Sequence, residues 1–117
     1  MPMSEIRIDI KPLSVNEAWK GRRFKTDKYE RYERSMLWLL PRIKIPEPPY
    51  QIHYEFGFSN SQSDLDNPVK QTQDCLVKKY GFDDREIYFA TIRKIIVPKG
   101  KEYVKIRIEH FDGPTRI

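Results

Sequence analysis

An α+β domain, a small mixed β-sheet carrying two helices on one face, is what this 117-residue sequence predicts. Three observations lead there: four stretches alternate apolar and polar residues at the period of a strand, two repeat at helical spacing, and the helical stretches fall between the strands. The order is strand, helix, strand, short extended piece, helix, then two closing strands. The length suits one domain over residues 1–117, with chain enough for a single core.

Ile6, Ile8 and Ile10 alternate with Arg7 and Asp9, a strand with one buried face that Pro12 ends. Leu13 to Thr26 has no clear period and reads as a flexible basic loop. Asp27 with Glu30 forms a capping-box-like start for a helix to about Leu40, with Tyr29, Tyr32, Met36, Leu39 and Leu40 as its apolar stripe and Pro41 as its end. Pro46, Pro48 and Pro49 make a stiff connection. Tyr50, Ile52, Tyr54, Phe56 and Phe58 then alternate strictly, the clearest strand in the chain. A helix from Pro68 to about Tyr80 buries Val69, Leu76, Val77 and Tyr80 and stops at Gly81. Ile87 to Val97 and Tyr103 to His110 are strands joined around Pro98-Lys99-Gly100-Lys101, a predicted hairpin.

The net charge of +5 favours a polyanionic partner. No apolar run is long enough to span a membrane, and Met1 to Asp9 lacks the apolar core of a signal peptide, so a cytoplasmic protein without a membrane partner is expected. Cys75 stands alone, and the two histidines, His53 and His110, are far apart in sequence. Neither a zinc site nor a Cys-His nucleophile is supported.

The chemistry gathers in Ser63-Asp64-Leu65-Asp66-Asn67-Pro68-Val69-Lys70 and in Asp83-Asp84. In an extended strand Asp64 and Asp66 share a face, roughly 6 to 7 Å apart. Carboxylates about 4 Å apart repel by about 4 kcal/mol at an effective dielectric of 20, which a divalent ion would relieve. An all-oxygen set suits Mg²⁺ or Mn²⁺. Asn67 is a good cap and Pro68 a favoured first residue, so Lys70 lies in the first turn of a helix, where a cation forfeits about 0.3 to 1 kcal/mol. Helical side chains lean toward the N-terminus, aiming its ammonium at the space before the two aspartates, where phosphate can sit. Asp74, one turn further, can orient Lys70. The site requires the turn bearing Asp84 to fold back beside Asp64 and Asp66.

Asp64-x-Asp66-Asn67-x-x-Lys70-x-x-x-Asp74, followed by Asp83-Asp84-x-x-Ile87, resembles the signature of the RusA family of Holliday junction resolvases. Pro12-Leu13-Ser14-Val15-Asn16 and the basic, aromatic segment Trp19 to Lys25 are similar to that family's N-terminal region. The resemblance implies a homodimeric, Mg²⁺-dependent endonuclease, often phage- or prophage-encoded, that nicks four-way DNA junctions symmetrically in recombination and repair. No small-molecule cofactor is expected. Carried over by position, Asp64, Asp66 and Asp84 bind metal, with Asp83 the weaker of its pair, Lys70 is the catalytic cation, and Asn16 contacts DNA. Pro68 replaces a usual apolar residue, and Asn60-Ser61-Gln62-Ser63 stands where some members are strongly basic, so junction contacts there are expected to differ.

Lys20, Arg22, Arg23 and Lys25 are the phosphate-binding candidates, with Trp19 or Phe24 to stack on a base or wedge at the branch point. A nuclease for flaps, single strands or RNA would share every catalytic residue. A non-catalytic nucleic-acid-binding protein would use the same loop without needing three aspartates, and a purely structural domain leaves Lys70 unexplained.

Overall fold

The computed structural model describes residues 4–21 and 24–117. Its centre is β4 (Tyr50–Phe58), whose Ile52, Tyr54 and Phe56 are buried. On one side β6 (Tyr103–His110) pairs antiparallel with β4, and β1 (Ser4–Ile8) pairs antiparallel with β6. On the other side β5 (Ile87–Ile96) runs parallel to β4, giving the order β1-β6-β4-β5.

α2 (Asp27–Leu39) and α3 (Val69–Tyr80) cover one face of this sheet. Tyr29, Tyr32 and Met36 of α2 and Cys75 and Leu76 of α3 join Ile6, Ile8, Ile52, Phe56, Val104 and Ile106 in one apolar cluster. The helices run in the same direction, as three bonds along their contact show: Tyr29 Oη donates to Asp74 at 3.3 Å, Lys78 to Glu33 at 3.0 Å and Tyr80 Oη to the Pro41 carbonyl at 2.6 Å. The α+β class, the mixed sheet and the one-sided helices are as the sequence predicts.

The closing strands are not a hairpin. β5 and β6 flank β4 on opposite sides, and the connection between them crosses its end, where the Val97 amide donates to the Phe58 carbonyl at 2.7 Å. The reason is burial: pairing β5 with β6 would leave β4, the most aromatic strand, with an unpaired edge, whereas α3 supplies the crossover a parallel β4-β5 pair needs. The extended piece around Asp64 is instead a run of turns, with Asn67 N bonded to Asp64 O at 3.3 Å and Val69 N to Asp66 O at 3.1 Å.

Two helix starts also differ. The cap of α2 is Thr26, whose Oγ1 accepts from the Tyr29 amide at 3.1 Å and donates to the Glu17 carbonyl at 2.6 Å. α3 begins at Val69 with Pro68 at the cap position and no side-chain cap. The Leu13–Thr26 segment is not structureless: it holds a short α1 (Val15–Ala18), capped by Ser14, and a small antiparallel pair, β2 (Trp19–Lys20) with β3 (Phe24–Lys25). Gly81 ends α3 at φ 74°, a left-handed conformation that favours glycine. No helix among the described residues is long and apolar enough to cross a membrane.

Candidate functional site

Asp64 and Asp66 lie in the turns between the end of β4 and the start of α3, both exposed. Neither carboxylate has a hydrogen bond or ion pair with another described side chain, so their oxygens face solvent. Lys70, in the first turn of α3, extends over the Trp19 ring, its Nζ 5.5 Å from the centroid. With Val15, Asn16 and Gly21 these two residues line a shallow hollow of about 370 Å³. The indole is itself fixed, edge-on to Tyr29 with ring centroids 5.2 Å apart. Lys70 thus has the packing that its place at a positive helix end demands.

A buried residue that the sequence pattern did not single out joins the two halves of this region. Gln71 is fully buried, and its Nε2 donates to the Leu13 carbonyl at 2.7 Å and the Asn67 carbonyl at 2.9 Å. One amide therefore ties the segment leading to Asn16 onto the turn that follows Asp66. A glutamine between Lys70 and Thr72 carries no local signal of such a role, because its partner is remote in sequence.

The third aspartate does not join the first two within one chain. Asp84 opens the 3-10 turn Asp84–Glu86 just before β5, and the first pair of the β4-β5 ladder is Tyr50 with Ile87. Asp64 follows Phe58, at the other end of the nine-residue β4. At about 3.3 Å per residue the two ends are roughly 26 Å apart. Parallel pairing is the cause: the chain travels back along α3 before β5 begins, so Asp84 starts where β4 starts. Among the described residues no group of three His, Cys, Asp or Glu side chains gathers as a metal set. Asp83 is engaged by Arg85 at 2.8 Å, whose guanidinium and amide hold its carboxyl below the usual range; Asp84 has no such partner among the described residues.

Asp74 is not the orienting partner of Lys70; it accepts from Tyr29 Oη, whose own ionisation is pushed up by burial and then by this carboxylate. Lys25 lies 3.0 Å from Glu33, a carboxylate it shares with Lys78, and over the Tyr29 ring at 4.9 Å, so it is already engaged within the fold. Lys20 and Asn16 are exposed, and Phe24 is 71% exposed, whereas Trp19 is used in packing. Arg22 and Arg23 lie outside the described residues. His53 and His110 bond Thr91 and the Glu47 carbonyl, away from the acidic turn. Burial raises the Cys75 thiol to about 12, which keeps it protonated and unreactive.

Sequence comparison with protein-family models and with curated proteins finds no match.

Proposed function

We propose that this protein is a metal-dependent nuclease for branched DNA, a four-way junction resolvase that works as a homodimer. The observation that carries the reading is the pair of exposed carboxylates, Asp64 and Asp66, without a side-chain partner among the described residues, before a helix whose first turn holds Lys70. Their chemistry fits Mg²⁺ or Mn²⁺: the preferred donors are oxygens, and Mg²⁺ takes one or two carboxylates with water and phosphate oxygens completing the shell. Such an ion, when bound, supplies Lewis-acid stabilisation to a phosphate and a more acidic water.

The chain's own groups do the rest. Lys70, braced on Trp19, sets its ammonium against the charge that grows on a phosphate oxygen. Lys20 meets the backbone, and the exposed Phe24 ring offers a surface for an unstacked base.

A two-fold dimer answers the position of Asp84. β5 is an edge strand ten residues long, with Tyr88, Phe89 and Ile96 about half exposed. Antiparallel pairing of two β5 edges sets the start of each beside the end of the other, which brings Asp84 of one copy toward the acidic turn of its mate. Two composite sites related by a two-fold axis suit paired nicks in a junction of the same symmetry.

The test is cleavage of four-way, flap, duplex and single-stranded DNA, with Mg²⁺ or chelator, by wild type, Asp66→Asn and Lys70→Ala. Junction cleavage is expected from wild type with metal alone, and Asp66→Asn should bind the junction as well or better, one repulsive charge having gone. Equal junction binding with and without chelator, and no cleavage of any substrate, would leave a non-catalytic basic module.

A further inference from the structure

Lys94 sits in the apolar phase of its strand. The β5 residues in register with Ile52, Tyr54, Phe56 and Phe58 of β4 are Ala90, Ile92, Lys94 and Ile96, of which Ile92 and Lys94 are partly buried. An ammonium there needs a partner, and it has two: Lys94 Nζ donates to the Ser61 carbonyl at 2.8 Å and the Ser63 carbonyl at 2.6 Å, with the Phe58 ring centroid 5.9 Å away. Asn60 closes the same loop from within, its Oδ1 accepting from the amides of Gln62 at 2.9 Å and Ser63 at 3.1 Å. The second tethered carbonyl belongs to the residue before Asp64. Beyond it, turn bonds carry the chain directly into α3.

We propose that Lys94 is a positioning residue for Asp64 and Asp66: by holding the Ser61 and Ser63 carbonyls against the sheet edge, it sets the direction in which the two carboxylates meet a divalent cation. The inference rests on the metal-binding reading of those aspartates. It assigns to β5 a second part in the site, since the strand that Asp84 precedes also anchors the acidic turn of its own chain.

The test is Mn²⁺ binding to the full chain by titration calorimetry for wild type, Lys94→Met, Lys94→Arg and Asp66→Asn, with amide hydrogen exchange over residues 62–66. Lys94→Met should weaken Mn²⁺ binding about tenfold, as loss of a ligand-orienting contact does, and speed exchange at these amides. Lys94→Arg keeps the donors and should recover most of the affinity. Wild-type affinity in Lys94→Met, whatever its melting temperature, overturns the proposal and leaves the nuclease reading standing. If wild type binds no Mn²⁺ and Asp66→Asn changes nothing, the metal reading falls and this inference falls with it.

Discussion

Gln71 on α3 and Leu13 in the segment before α1 are joined by a single buried hydrogen bond of 2.7 Å, which fastens one wall of the candidate site to the other. Gln71→Met keeps the length of the side chain and removes its donor, leaving two backbone carbonyls with less than they had. The Gln71 Oε1 atom has no partner among the described residues, so its removal offsets part of that loss. Stability should fall by about 1 to 3 kcal/mol, measured by urea denaturation, with faster hydrogen exchange over Val15–Ala18. A loss below about 0.5 kcal/mol, the range of ordinary surface changes, would show that the bond is not a fastening.

Glu33 stands between Lys25 and Lys78, 3.0 Å from each. Burial works against its ionisation, but the two ammonium groups outweigh this and hold its carboxyl below 4.5 in the folded chain. A lowered folded value means that the stabilisation is present above about pH 4.5 and disappears as pH falls through the folded value. Glu33→Gln should therefore cost about 1 kcal/mol at neutral pH, and the difference from wild type should close in melting curves taken at progressively lower pH, as the folded carboxyl takes up its proton. A gap that stays constant with pH would assign the effect to packing.

Gly57 faces Tyr103 across the open side of the sheet, and a Cβ on it would meet two ring carbons at 2.5 Å. The ring is held by a 2.6 Å bond from its hydroxyl to Glu55 and by Arg7 stacked 4.1 Å above it. Gly57→Ala should cost about 1 to 3 kcal/mol through overpacking, visible as a lower melting temperature. An unchanged value would mean that the ring swings aside freely.

If Asp84 acts across a dimer, two inactive variants should rescue each other. Mixing Asp66→Asn with Asp84→Asn and allowing exchange gives hybrids as about half of all dimers, each with one whole site and one doubly damaged site. Single-strand nicking of the junction should return without paired resolution. No recovery after verified exchange would remove Asp84 from the chemistry.

Salt dependence separates the cations of the β2-β3 pair. Lys20 is exposed, whereas Lys25 is matched by Glu33. Lys20→Gln should reduce the log-log slope of DNA affinity against salt by about 0.9, one phosphate contact. Lys25→Gln should leave the slope unchanged and lower stability; equal slopes for all three proteins would remove Lys20 from the interface.

The sequence by itself determined the elements: the aromatic face of β4, the α3 that ends at Gly81, and the placing of Asp64, Asp66 and Lys70 about one helix start. These follow from local periodicity and turn chemistry, which a stretch of ten residues contains in full. Lys94 was not singled out by the sequence, because its partners, the Ser61 and Ser63 carbonyls, lie on a remote loop. Only the tertiary structure decided that β4 would separate β5 from β6, that Asp84 would stand at the far end of the sheet, that Lys25 would be spent on Glu33, and that Gln71 would clasp Leu13. The reason is that strand order and charge pairing minimise a sum over contacts between remote segments. The most apolar strand takes the centre because burial is greatest there, and each polar group then bonds whatever that choice brings within reach.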